Sequence, residues 1–498
     1  MTRQPQTAIR GVLSVGVVNL LARFLAYGKH LVIAALIGLS VQLDTFYMAL
    51  SVLSLVIFAF GDIFDSLGIP RLVETLREEG EEPFKELAGE MMVFACLLSL
   101  LLCGFLFLIA PWTTWIAPGF TPEEREFVLD NLRYLAPLAL IYLPYHAVGS
   151  FLRAKRRFQS FYVGELIVAF SSLCIVLLWH QARFIIPLSF SVGYLVAFAY
   201  IVAIGSGEFR WHVRLPGEKI RGIVRMLFRL SPIYLMNYLF LLVDRAFASF
   251  LPTGGVSALS YALLIVLIPA SILMIENVFI TPLSESTEKA EMFRSILEGI
   301  IIISIPIAVF STAYAERIVG LAFERGVFTA GSTKLTGEAL ACFSISIPVL
   351  FMGPICTRFF QIQERMGMVT KVVFFSVLVN AGLNLLFLKM GMGIQGVALA
   401  SSLAWYCAFA GYMLALRRLG YRILDQGVAR VFCISLVISV VALGCTALLP
   451  FHSRSAVGLL FKGGIFLVAS AAMFSVSKNE KIRYWKETVL AEILRRER

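Results

Sequence analysis

Arg23 and Lys29 stand inside the first long apolar stretch of the chain, roughly 9–38, well away from either end of it. A charged side chain near the centre of a spanning helix costs about 2.5–3.5 kcal/mol on insertion scales unless it meets a partner or a wet cavity. Two such cations on one helix suit an anion such as a diphosphate, which accepts charge-assisted hydrogen bonds. Pairing with an acid on a neighbouring helix, helped by snorkelling, is the plainer alternative. Asp62 and Asp65 are three apart in the second stretch, so they share a helical face beside Gly61 and Gly68. They could balance the two cations or serve as a proton or monovalent-cation site. Asp244 and Arg245 lie toward the outer end of the seventh stretch, where snorkelling or a gating ion pair would each account for them. Glu276 and Asn277 in the eighth stretch and Lys462 in the fourteenth are further cavity candidates. Asp44, at the start of the second, reads either as a cavity acid or as an interfacial helix cap.

The elements that must position these residues follow from composition. The chain has 498 residues, 59% hydrophobic and 15% charged, with a mean hydropathy of +0.84. Soluble domains run at about 45–50% apolar and about 25% charged, so a water-soluble enzyme is excluded. Apolar stretches long enough to span, about 20 residues each, recur at roughly 9–38, 44–69, 87–110, 131–152, 159–179, 184–205, 228–250, 256–282, 295–315, 336–360, 372–388, 394–416, 431–450 and 456–477. The short alternating segments of a β-barrel are absent. The expected fold is therefore an all-α polytopic membrane protein of about fourteen transmembrane helices.

The eight cysteines fall in apolar stretches without paired spacing and read as small hydrophobes, not as a disulfide or zinc framework. The five histidines are scattered, and neither HExxH nor GxxxxGK[ST] occurs, which removes a metal hydrolase and an ATP-driven pump. A transporter, not an enzyme, is expected, with no cofactor beyond a coupling proton or monovalent cation. The fourteen-span count puts the large majority of the 43 Lys and Arg on one side of the membrane, the cytoplasmic side with both termini. The net charge of +11 then faces anionic lipid, with no nucleic-acid partner implied. A cleavable signal peptide is not expected, because the first stretch is too long and carries Arg23.

The two halves are weakly self-similar at about 210 residues. Gly119-Phe120-Thr121 answers to Gly326-Val327-Phe328-Thr329, and Pro70 with Asp65 answers to Pro282 with Asn277. Six spans per copy give both copies one orientation. The expected organisation is an N-lobe of six helices over 1–206, a C-lobe of six over 207–417, and two extra helices with a basic tail over 418–498.

These residues also resemble a known family, the MurJ/MviN lipid-linked oligosaccharide flippases of the multidrug/oligosaccharidyl-lipid/polysaccharide exporter superfamily. The resemblance is carried by Arg23-Phe24-Leu25-Ala26-Tyr27-Gly28-Lys29, Asp44-Thr45-Phe46-Tyr47-Met48-Ala49, Ala117 to Phe120, and Asp244-Arg245-Ala246-Phe247-Ala248-Ser249. It continues in Phe323 to Thr329 and from Phe359-Phe360 through Asn380 and Asn384 to Gly396-Val397-Ala398-Leu399-Ala400. It implies alternating access around a cationic cavity that takes the diphosphate and sugars of an undecaprenyl-linked precursor. Arg23 and Lys29 hold the positions of the first-helix cations and Asp44 that of the acid after them. The family's last two helices form a groove for the lipid tail, which would fall on 431–477 here and include Lys462. Two features depart from the pattern. Family members that flip lipid II carry arginines in helices two and eight, where this chain reads Leu55-Val56-Ile57 and Leu263-Leu264-Ile265, and one residue of length differs in each of those helices.

The expected function is a flippase of the bacterial cytoplasmic membrane. It would carry a polyprenyl-diphosphate-linked glycan, lipid II-like, from inner to outer leaflet for peptidoglycan synthesis, driven by an ion or by the membrane potential. Membrane lipids and envelope-synthesis enzymes are its expected partners. Three alternatives stay open: a paralogue serving another surface polymer, a multidrug antiporter, and a non-transporting envelope-assembly scaffold.

Overall fold

Long uninterrupted apolar runs leave the backbone one way to satisfy its own polar groups in hydrocarbon, and the chain takes it. The computed structural model describes residues 5–109, 112–210, 218–273, 288–447 and 456–476. Glu276 and Asn277 lie outside the described residues, which contain helices and no strand. The chain is an all-α polytopic membrane protein. Eleven described helices are long and apolar enough to cross a membrane, or twelve if Ala330–Ser344 and Ile347–Ile362, bent by 51°, form one broken span. Of the fourteen expected, 228–250 falls in a helix whose Arg225, Arg229, Asp244 and Arg245 lower its hydropathy, and 256–282 continues past the described residues.

The chain divides into two compact units, residues 1–257 with 325–328, and residues 258–324 with 329–498. The first unit holds α1 (Pro5–Ile37), α2 (Val41–Leu53), α3 (Ala59–Glu78), α4 (Glu81–Ile109), α5 (Thr113–Ile116), α6 (Pro122–Ala154), α7 (Phe158–Trp179), α8 (Ile185–Gly205) and α9 (Glu218–Ala248). A π turn, Ser54–Phe58, joins α2 to α3 and makes them one continuous helix. Such single π turns inside an α-helix widen it locally without ending it. The helix α6 is the unit's centre: it packs on α2, α3, α4 and α8, and its stretch Tyr142–Leu152 is buried throughout. The helix α9 packs on α2 and α3 and belongs with this compact unit.

After α10 (Gly255–Leu273), which begins at the division, the second unit contains α11 (Lys289–Ala313), α12 (Ala315–Phe323), α13 (Ala330–Ser344), α14 (Ile347–Ile362), α15 (Met366–Lys389), α16 (Gly393–Arg418), α17 (Gln426–Ala447) and α18 (Ala456–Val476). The helix α11 packs on α13, α14 and α17, and α15 pairs with α16. Leucines such as Leu100, Leu101, Leu108 and Leu178 stand on exposed outer faces, as a hydrocarbon solvent allows.

Helix ends are fixed by named contacts. Thr121 caps α6 in a reciprocal box with Glu124, and Thr329 caps α13 by accepting from Ser332 N. The two Phe-Thr pairs of the repeat thus do the same local work, a buried Phe before a capping Thr. Just past α6, Lys155 binds Glu81 at 2.6 Å and Glu208, joining three helix ends. Burial works to lower its pKa, but the Glu208 and Glu81 hydrogen bonds outweigh this and hold the ammonium above its ordinary value. Each repeat loop also docks a glycine against a helix end within the first unit. Gly119 N donates to Ser249 Oγ at 3.0 Å, and a Cβ there would come within 2.4 Å of the Ser249 carbonyl. Gly326 has φ +59°, its neighbour Val327 N donates to Ala35 O at 2.9 Å, and a Cβ on Gly326 would meet that oxygen at 2.1 Å.

Gly326→Ala should therefore destabilise the protein by about 1–3 kcal/mol, read as a lower midpoint of thermal unfolding in detergent. Gly353→Ala, where nothing lies within 4 Å of the new Cβ, should leave the midpoint unchanged or raise it, and equal losses in both would refute the docking argument.

Candidate functional site

The first unit encloses a cavity of about 450 Å³ between α1, α3, α6, α7 and α8. Helical spacing explains why α1 contributes Ala22, Arg23, Ala26 and Lys29: positions three or four apart make one stripe, and the small alanines leave room between the cations. Lys29 is only 4% exposed. Its Nζ sits 3.6 Å from the centroid of the Phe190 ring of α8, a cation–π contact.

Across the cavity, Asp65 of α3 is bound on both carboxylate oxygens. Oδ2 accepts from His146 Nδ1 at 2.8 Å, and Oδ1 accepts from Ser150 Oγ at 2.7 Å and from Arg153 Nη2. The three donors stand on α6 at spacings of four and three, so one helical stripe delivers all of them. Arg153 also donates to Gly149 O at 3.1 Å and lies 4.0 Å above the Phe161 ring of α7. Glu165, also on α7, accepts from Tyr145 OH at 2.9 Å. Tyr142, Tyr162 and Tyr194 complete an aromatic wall.

Of the residues singled out in the sequence, Arg23, Lys29 and Asp65 meet in this cavity. Asp65 is paired with Arg153 and His146, not with the first-helix cations. Asp62 does not line the cavity; it turns to α9, where Tyr238 OH donates to its Oδ2 at 2.8 Å. The shared face of two acids three apart is thus divided between two neighbours. Asp44 is buried and caps the start of α10, accepting from Gly254 N at 2.6 Å, Ser257 N at 2.7 Å and Ser257 Oγ at 2.6 Å. Arg245 is buried and donates to the backbone oxygen of Tyr47 at 2.7 Å, with the buried Asp244 beside it.

In the second unit Lys462 is buried, its Nζ 5.9 Å from the Tyr314 ring. An apolar groove of about 350 Å³ runs there between α11, α14, α16 and α17, lined by Ile301, Met352, Phe409, Val428 and Phe432 among others. The thirteenth expected span, now α17, contributes to that groove, whereas α18 and Lys462 are not among its lining residues.

Glu165, His146 and Arg153 were missed by the sequence reading. The insertion cost that picks out Arg23 applies equally to Glu165, a lone acid in the apolar run of α7, and would have found it. Arg153 sits at the edge of its stretch and reads as an ordinary loop cation.

Removing one partner of a buried ion pair leaves the other uncompensated, at about 3–5 kcal/mol. Asp65→Asn should cost that much in thermal or denaturant unfolding, and Asp65→Asn combined with Arg153→Gln should recover most of it. Additive losses in that double-mutant cycle would show that the pair is not coupled.

A family model described as "Lipid II flippase MurJ" matches residues 33–473. The "Probable lipid II flippase MurJ" of Rhizobium tropici is 23% identical, covering 94% of this chain and 93% of its own length. That of Thermotoga maritima is 22% identical, covering 82% and 86%. Among solved structures, "Lipid II flippase MurJ, inward closed conformation" aligns with a TM-score of 0.80 at 17% identity, over 95% of this chain and 99% of the other. An inward-facing multidrug transporter of the MOP superfamily follows at 0.63 and 13%, over 79% and 98%. With a family match that runs from the first helix to the last and the same fold around a buried, cation-bearing cavity, the chain belongs to the lipid II flippase MurJ family.

Proposed function

We propose that this protein translocates lipid II, a polyprenyl-diphosphate-linked glycan, from the inner to the outer leaflet of the bacterial cytoplasmic membrane for peptidoglycan synthesis. The observation that carries the reading is Lys29. Its ammonium is buried at the wall of a cavity with an aromatic ring beneath it and no hydrogen-bonded partner among the described residues. A diphosphate offers the acceptors that this cation lacks. Arg23 on the same stripe adds a second positive charge. The apolar groove of the second unit supplies a surface suited to a polyprenyl tail.

In this reading both termini face the cytoplasm, where most of the positive charge falls. Transport runs by alternating access, driven by an ion gradient or by the membrane potential, which is worth about 2.3 kcal/mol per charge per 100 mV. Asp65 is held by three donors and is a poor candidate for binding a coupling ion, while Asp62 keeps one oxygen away from its Tyr238 bond. The missing arginines at Leu55-Val56-Ile57 and Leu263-Leu264-Ile265 favour a second reading, in which the same machinery carries another lipid-linked glycan.

Complementation of a strain depleted of its lipid II flippase separates the two. Rescue of growth, with lipid II no longer accumulating by mass spectrometry, is expected for the wild type. Lys29→Ala should lower the flipping rate about ten- to hundredfold, the value of a lost charged hydrogen bond. Full membrane expression without rescue would overturn lipid II as the substrate and direct the search to another surface polymer.

A further inference from the structure

Glu165 of α7 and Lys29 of α1 line the same cavity. They are not in direct contact, since no ion pair within 4.0 Å joins them among the described residues. Arg23 shares the α1 wall with Lys29, and the charges on the α3 and α6 walls are closed. Asp65, His146 and Arg153 satisfy one another. Glu165 retains one hydrogen bond, from Tyr145 OH, on a carboxylate that can accept about four. Lys29 carries three N–H donors and makes no hydrogen bond among the described residues. The cavity therefore has a cationic wall on α1 and, on α7 and α8, a carboxylate set among aromatic rings, which is the chemistry that recognises an ammonium ion.

The charge balance selects the ligand. A purely anionic group that engaged Lys29 would leave the half-buried Glu165 without a charge partner, and a purely cationic one would leave the buried Lys29 without one. A ligand that brings both charges exchanges the separated internal pair for two intermolecular ones and strands neither. We infer that this cavity takes a headgroup carrying a phosphate together with a protonated primary amine, with Lys29 reading the phosphate and Glu165 the amine. The inference rests on the reading of this cavity as the seat of the substrate's phosphate, and it adds Glu165 as a specificity-determining residue. Two sources share the chemistry: an amine-bearing glycan on a polyprenyl diphosphate, and a zwitterionic phospholipid.

The test uses the purified full-length chain in detergent and compares the affinity of four probes by calorimetry. These are an amine-bearing polyprenyl-diphosphate glycan, its N-acetylated form, dihexanoyl-phosphatidylethanolamine, and the N-acetylated form of that lipid. Acetylation should weaken binding about ten- to hundredfold, the value of a charged hydrogen bond. Loss confined to the glycan pair assigns the site to the substrate headgroup, and loss confined to the phospholipid pair assigns it to a resident lipid. Glu165→Gln should bind each amine and its acetylated form alike, while Glu165→Asp should keep part of the preference. Lys29→Gln should weaken all four probes. Equal wild-type affinity for amine and acetylated forms, or no binding of either amine, overturns the inference, and this comparison needs no variant to fold. If complementation succeeds and amine discrimination is absent, the flippase reading stands and this inference falls; discrimination without complementation gives the reverse.

Discussion

The Asp65 carboxylate is the interaction on which the charged interior of the first unit depends. In a medium without water, a single acid on α3 would be expensive, and it persists because α6 presents His146, Ser150 and Arg153 to it along one stripe. That closure has two consequences. It pins α3 to α6, the helix that also packs on α2, α4 and α8. It also removes one acid and two bases from competition, so that Lys29 and Glu165 are left with unused donors and acceptors facing the same cavity.

The aromatic residues make this arrangement tolerable. Phe190 lies beneath the Lys29 ammonium and Phe161 beneath the Arg153 guanidinium, each offering the negative face of a ring to the cation. Tyr145 stands between Phe161 and Tyr194, and its hydroxyl reaches Glu165. A cavity lined in this way stays polar enough to hold water or a headgroup with Lys29 in no direct ion pair among the described residues. The lone glutamate of α7 is thus part of the same design as the two cations of α1.

A second constraint acts at the helix ends, where backbone groups have no partner within their own helix. Here the chain uses side chains from distant sequence. Asp44 supplies both oxygens to the start of α10. Gly119 and Gly326, in the two repeat loops, come so near to Ser249 and Ala35 that no side chain fits. The acid that the sequence suggests for the cavity is therefore taken up in capping, and the short Gly-Phe-Thr matches mark loops whose backbone must approach another helix.

Much of the architecture was legible in the sequence because hydropathy is local: whether a run of residues can cross hydrocarbon depends on that run alone. The span limits lie within a few residues of the helices in most of the described chain, with the helices extending into the flanking polar residues. Arg23 and Lys29 were legible for the same reason, since the cost of a mid-span charge does not depend on knowing its neighbours. Partnerships were not legible. Asp62 and Asp65 differ by about 60° around the helix axis, enough to send one to Tyr238 of α9 and the other to α6. Residue order alone specifies a many-helix membrane protein with two mid-span cations on its first helix. Which acid meets which base is set by the rotation of packed helices, which the order of residues along any one of them does not reveal.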